Sequence, residues 1–259
     1  MHSPRKRFGQ HFLVDKNVIT RLVDAISPQK TDNLVEIGPG QGALTIPVLK
    51  KMGYLNVIEL DRDLIPILTE RCKPHGTLTV YQTDALDFDF QTLAQDAPLR
   101  VIGNLPYNIS TPLIFHLLEY AALIKDMHFM LQKEVVDRLA AKIGNSDYGR
   151  LSIMVQYYCE VSALFDVPPE AFDPPPKVNS SIVRIIPYKN IPFSANDFSH
   201  FAKLVKQAFN QRRKTLRNCL KLMVDEEGWK RAGIDSSLRP EQLSVAQYVR
   251  LSNETCHSQ

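Results

Sequence analysis

Cysteine is scarce, with four in 259 residues, at positions 72, 159, 219 and 256. They are scattered and form no C-x-x-C pair, so neither a disulfide framework nor a zinc site is expected, and a reducing cytoplasm fits. No His-Cys cluster exists either, and no metal is expected. Long apolar runs are missing; none approaches the roughly 18–20 residues that span a bilayer. The opening Met1-His2-Ser3-Pro4-Arg5-Lys6-Arg7 has charges but no apolar segment behind them, so it does not read as a secretory signal. There are no internal repeats and no low-complexity tracts. Oligomeric state leaves no mark, and a monomer is the default expectation.

Acidic residues are absent from one long segment. From Phe198 to Val224 the chain carries Lys203, Lys206, Arg212, Arg213, Lys214, Arg217 and Lys221 but no Asp or Glu. The whole chain has a net charge of +3; without those seven cations it holds 24 basic and 28 acidic residues, a net of −4. A second basic cluster is Arg5-Lys6-Arg7. Solvated helix faces usually mix both signs, so charge concentrated in this way points to a polyanionic partner.

The rest of the composition is ordinary. Hydrophobic residues make up 44% and charged residues 23%, enough for one α/β domain and a smaller second one. Apolar runs at 33–37, 55–60, 77–81, 99–103 and 126–131 read as strands. They alternate with helical patterns such as 18–26 and 111–118. Such alternation predicts a parallel sheet covered by helices. Segment 149–159 leans to helix. Segments 162–167 and 180–186 read as a closing strand pair around a Pro-rich loop, where each Pro forbids a ladder hydrogen bond. A helical run follows over 195–221, and Arg239-Pro240-Glu241 opens a last helix. The boundary falls near 187–193, giving domains 1–189 and 190–259.

Glu36-Ile37-Gly38-Pro39-Gly40-Gln41-Gly42 follows the first strand and leads into a helix. Glycines here allow positive φ and close approach of backbone to a ligand. Gly38, Gly40 and Ala43 also satisfy G-x-G-x-x-A, so a dinucleotide site, and with it a nicotinamide-dependent oxidoreductase, stays open. Glu59, near the expected tip of the second strand, suits a ribose diol; Asp61 suits that role or a helix cap. Asp84, with Ala85 beside it, ends the third strand and suits an exocyclic adenine amine.

Asn104-Leu105-Pro106-Tyr107 follows the fourth strand, at the edge where such sheets bind ligands. Adenine N6 is a poor nucleophile because its lone pair is delocalised into the ring. Acceptors on its two hydrogens, the Asn104 side-chain oxygen and the Leu105 carbonyl, pull the nitrogen toward tetrahedral geometry. The Tyr107 ring can stack on a base. This is positional and electrostatic catalysis.

Together these two segments resemble the ribosomal RNA adenine N6-dimethyltransferase family. Further similarity lies in Arg5-Lys6-Arg7-Phe8-Gly9-Gln10-His11-Phe12-Leu13, in Leu131-Gln132-Lys133-Glu134 and in Phe172-Asp173-Pro174-Pro175-Pro176-Lys177-Val178-Asn179-Ser180. The last stretch and the basic tail are similar to the bacterial small-subunit branch, the one linked to kasugamycin sensitivity. The resemblance implies a Rossmann-like S-adenosylmethionine-dependent methyltransferase sheet with a small helical C-terminal domain. It implies that Gly38, Gly40 and Gly42 approach the methionine part of S-adenosylmethionine, that Glu59 binds its ribose, and that Asp84 and Ala85 meet its adenine. Asn104 would position the target amine and border the cofactor. Tyr107 would stack on the target base, and Phe172 would close over its other face. Gln10, His11 and Leu13 would fold over the cofactor's amino-acid end. The family usually has Asn at the place of His11, so protonation of the imidazole is expected to weaken cofactor binding at low pH. The implied partner is 16S ribosomal RNA in the small subunit, at two adjacent adenines of a 3′-terminal hairpin loop, gripped by the cations of both basic clusters. A resistance-type enzyme acting on large-subunit RNA and a subunit-assembly factor are the neighbouring readings.

Overall fold

A computed structural model describes residues 11–94 and 97–256. Gln10 and the cluster Arg5-Lys6-Arg7 lie outside these residues. The chain divides into two units, one of residues 1–136 and 161–187, the other of 137–160 and 188–259.

The first unit begins with a two-residue strand, β1 (Phe12–Leu13). Helix α1 (Lys16–Ile26) starts where the Asp15 carboxylate accepts the N–H groups of Asn17 and Val18. It buries Val18, Leu22, Val23 and Ile26, spaced to share one face. Strands β2 (Asn33–Ile37), β3 (Tyr54–Ile58), β4 (Thr77–Tyr81), β5 (Leu99–Asn104) and β6 (Ile124–Gln132) run parallel. Helices α2 (Thr45–Met52), α3 (Ile65–Cys72) and α4 (Ser110–Glu119) connect them. The central strands are buried along nearly their whole length because both their faces are covered, and that burial includes Glu36 in β2 and Arg100 in β5. Strand β7 (Cys159–Val167), the short β8 (Phe172–Asp173) and β9 (Ser180–Pro187) follow, and the sheet order is β4-β3-β2-β5-β6-β9-β7. β9 pairs antiparallel with β6, so Ser180 sits opposite Gln132 at the carboxyl end of the parallel strands. β8 pairs with β1 away from the main sheet. Gly103 is required inside β5: a Cβ there would stand 2.5 Å from the Ile37 carbonyl oxygen.

The second unit is helical. Besides α5 (Lys133–Ala140), which crosses the division, it holds α6 (Arg150–Tyr158), α7 (Phe198–Phe209), α8 (Leu216–Cys219), α9 (Glu226–Ala232) and α10 (Val245–Thr255). Its core joins Tyr148, Ile153 and Tyr157 to Phe201, Leu204, Trp229 and Tyr248. The sequence reading left 137–160 in the sheet domain; the structure groups it with the helices, because its apolar side chains pack on residues that come later in the chain. The expected single helix over 195–221 is broken between α7 and α8. Asn210-Gln211-Arg212-Arg213-Lys214 offers no apolar side chain to the core, and the Arg212 guanidinium donates to the Ser146 and Tyr148 carbonyls instead. Pro240 opens a 3₁₀ turn only, and α10 starts later, capped by Ser244. No helix among the described residues is long and apolar enough to cross a membrane.

Candidate active site

The loops after β2, β3, β4 and β5 all leave from the carboxyl edge of the sheet and surround a cavity of about 940 Å³. Such volumes suit a cofactor-sized ligand. The glycine loop forms one wall, with Gly38, Gly40 and Gly42 at φ values of 67°, 56° and 88°. These angles suit glycine and turn the backbone toward the cavity. A Cβ on Gly40 would also press on the Phe12 ring at 3.2 Å.

Glu59 is buried, and its carboxylate accepts the Gly40 N–H at 3.1 Å and the Asp61 N–H at 2.8 Å. Burial pushes its pKa above the ordinary value, against those two donors. Asp61 turns to its own loop and accepts the Asp63 N–H. Of the two acids, Glu59 is thus the one bound to the glycine loop. One Asp84 oxygen accepts the Leu86 N–H at 2.9 Å, and Ala85 beside it is buried on the cavity wall.

Asn104 ends β5. Its side-chain nitrogen donates to the His11 carbonyl oxygen at 3.0 Å. A carbonyl can only accept, so the amide orientation is fixed and its oxygen is left to accept elsewhere. Leu105 donates its N–H to Met130. The Tyr107 hydroxyl meets the Ser180 hydroxyl at 2.7 Å, and its ring lies 5.9 Å from the His11 imidazole at 26°. His11 Nδ1 bonds the Pro174 carbonyl oxygen at 2.7 Å, so Nδ1 carries a proton whether the ring is neutral or charged. Leu13 pairs with Phe172 across β1 and β8 while bordering the cavity.

Phe172 differs from expectation. It is 4% exposed, packs in the core of the sheet unit and does not line the cavity. Its place in the β1–β8 pair turns the ring into the core, and the ring found against Tyr107 is that of His11.

Sequence reasoning gave Glu36 no role of its own. It is 2% exposed, lines the cavity and has one oxygen without a hydrogen-bond partner. Burial raises its pKa to about 8, against the pull of the neighbouring Thr45 hydroxyl and helped by Glu59. Burial thus favours its protonated form. An acid inside an apolar strand just ahead of a glycine loop is the signal that marks it. Leu60, half exposed on the cavity rim, was also missed; single apolar residues at strand ends give no signal.

In the helical unit, two of the seven clustered cations serve the fold. Arg212 holds loop carbonyls, and Arg217 pairs with Glu226 at 3.2 Å and bonds Ser236. Lys203, Lys206, Arg213, Lys214 and Lys221 are exposed and make no ion pair among the described residues. No cluster of metal-binding side chains occurs among the described residues.

The family model for ribosomal RNA adenine dimethylase matches residues 1–256. A ribosomal RNA small subunit methyltransferase A from Alcanivorax borkumensis is 59% identical over 253 residues, covering 97% of this chain and 90% of that protein. The protein of the same name from Pseudomonas putida is 54% identical over 259 residues, covering 100% and 97%. Among solved structures, a dimethyladenosine transferase from Plasmodium falciparum superposes with a TM-score of 0.81 at 27% identity, covering 93% of this chain and 96% of that one. The 23S rRNA methyltransferase ErmE shares the fold, with a TM-score of 0.75 at 22% identity, covering 95% and 100%. With its glycine loop and Asn-Leu-Pro-Tyr turn at one sheet edge and a family match over nearly its whole length, the chain belongs to the ribosomal RNA adenine dimethylase family.

Proposed function

We propose that this protein transfers methyl groups from S-adenosylmethionine to N6 of two adjacent adenines in the 3′-terminal hairpin loop of 16S ribosomal RNA. The observation that carries the reading is the fixed Asn104 amide, whose nitrogen is spent on His11 and whose oxygen is left at the cavity beside Tyr107.

The cavity fits the cofactor. Its glycine-loop backbone meets a ligand without side chains, Glu59 is held against that loop, and Asp84 keeps an oxygen for an adenine amine. Glu59 would hold the ribose hydroxyls, Asp84 and Ala85 the adenine, and Gly38, Gly40, Gly42, His11 and Leu13 the amino-acid end. When bound, S-adenosylmethionine supplies a methyl group already activated by a sulfonium charge. The Asn104 oxygen and the Leu105 carbonyl accept the two hydrogens of the target amine and localise its lone pair. Tyr107 stacks on the base, and stacking worth roughly 1–3 kcal/mol offsets much of the cost of unstacking it. The amine's proton is lost to water. Phe172 would join the base site only by leaving its core position.

Lys203, Lys206, Arg213, Lys214 and Lys221 grip RNA phosphates, and Arg5, Lys6 and Arg7 add to that grip. Arg212 and Arg217 divide their charge between RNA and the fold. Phosphate contacts hold without reading sequence, so the shape of the hairpin selects the target. The protein works as a cytoplasmic monomer, and by holding immature subunits it also acts in their late assembly.

The test is methyl transfer from labelled S-adenosylmethionine to small subunits that lack the modification. N6,N6-dimethyladenosine in the 3′-terminal hairpin is expected. Transfer to large-subunit RNA alone, or to neither, overturns the reading. Retention of subunits by Asn104→Ala protein tests the assembly role.

A further inference from the structure

The segment 177–181 ends in two serines that part company. The Ser181 hydroxyl donates to the Phe165 carbonyl at 3.2 Å and so ties β9 to β7. Ser180, with no exposed surface, bonds the Tyr107 hydroxyl instead. The Tyr107 backbone is held separately, its carbonyl accepting from Ser110 at 3.1 Å. A tyrosine anchored only at its backbone still turns about its two side-chain torsions. A bond at the phenol oxygen, the atom farthest from the backbone, removes most of that freedom. His11 lies against the ring without bonding the hydroxyl. Ser180 is therefore the one described side chain that holds the far end of Tyr107.

We propose that Ser180 is a positioning residue for base capture, its hydroxyl holding the Tyr107 ring at the angle the target adenine stacks on. The inference rests on the reading of Tyr107 as the stacking platform. Ser180 touches neither base nor cofactor; it acts through the phenol alone. Its position on β9, opposite Gln132 at the end of β6, joins the last strand in chain order to the Asn-Leu-Pro-Tyr turn.

The test is a double-mutant cycle on the full chain with small subunits as substrate. Ser180→Ala and Tyr107→Phe each remove one end of the same bond. Each is expected to raise KM for the subunit about three- to tenfold, with a smaller fall in kcat. The double variant is expected to match the singles, and calorimetric affinity for S-adenosylmethionine to stay unchanged in all three. Additive effects would show that Ser180 acts by some other route and overturn the inference. So would a silent Ser180→Ala in a protein that Tyr107→Ala disables. Should Ser180→Ala fail to fold, Tyr107→Phe decides alone, and an unchanged KM overturns the proposal. Full activity in Tyr107→Ala would instead remove the platform reading, and this inference with it.

Discussion

At the amino end of the sheet, Arg100 lies between two carboxylates; at the carboxyl end, Glu36 and Glu59 are buried with no cation bonded to either among the described residues. Arg100 Nε donates to both Asp126 oxygens at 3.0 Å, while its other nitrogens reach Asp32 at 2.6 Å and the Ile26 carbonyl at 2.6 Å. Burial alone would raise both acids. For Asp32 the Gln29 N–H and Arg100 outweigh it, and for Asp126 His128 and Arg100 do, so both sit below the usual carboxylate range. Glu36 and Glu59 are pushed the other way. The same sheet thus neutralises its acids with a cation at one end and, among the described residues, with none at the other. The first arrangement secures the fold, and the second leaves one Glu36 oxygen at the cavity without a hydrogen-bond partner.

The contrast is open to direct attack. Arg100→Met removes the buried cation from Asp126 and leaves Asp32 to the exposed Lys125 at 3.4 Å, and it is expected to cost about 3–5 kcal/mol at pH 7. The loss should shrink as pH falls through the pKa values of Asp32 and Asp126, because their contribution is present above the unfolded pKa and lost in acid. Urea unfolding at several pH values checks it, and unchanged stability would break the comparison. Asn104→Ala, at the opposite end, is expected to leave folding intact and lower turnover by about 10²–10³-fold, measured by labelled methyl transfer.

Glu36 reverses the sign. A carboxyl raised from 4.5 to about 8 contributes fully below the unfolded value and loses that contribution as pH climbs through this window. Wild-type stability should carry a downward slope there of up to about 1.4 kcal/mol per pH unit, and Glu36→Gln should abolish it. Denaturation midpoints from pH 5 to 9 measure this. Glu59→Gln keeps size but loses charge and one of the two acceptors that the Gly40 and Asp61 N–H groups use, and cofactor affinity by calorimetry is expected to fall about tenfold. The smallest change is expected in the helical unit. Lys214→Ala should lower the salt slope of RNA binding by about 1 and leave unfolding untouched.

Much of the sheet is legible because parallel strands are short apolar runs between helices, and β2 to β6 fall where such runs fall. The glycine loop, Glu59, Asp84, Asn104 and Tyr107 are legible because each follows a strand end, and topology brings strand ends together. Other features leave weaker traces. The two-residue pair β1–β8 has no periodicity to detect, yet it turns Phe172 inward and sets His11 beside Tyr107. The burial of Glu36 is a tertiary effect: the Thr45 hydroxyl of α2 lies beside it, and β3 pairs with its strand at Val57. Arg212 counts as a free cation in any charge tally until loop 144–149 supplies its carbonyl partners.

The chain passes between its two units at residues 136, 160 and 187, three covalent crossings instead of one. A truncation at 187 would therefore not release the sheet unit cleanly. It would leave 137–160 attached, with Tyr148, Ile153 and Tyr157 stripped of the partners that α7 and α10 provide. During synthesis the same order makes β6 wait for β9 until the first helical excursion has been made, and the long loop delays closure of the sheet edge. A nascent chain halted before Ser180 holds the glycine loop and the Asn-Leu-Pro-Tyr turn but not the hydroxyl that meets Tyr107. The site is finished from its far side, late, by residues encoded well after those that define it.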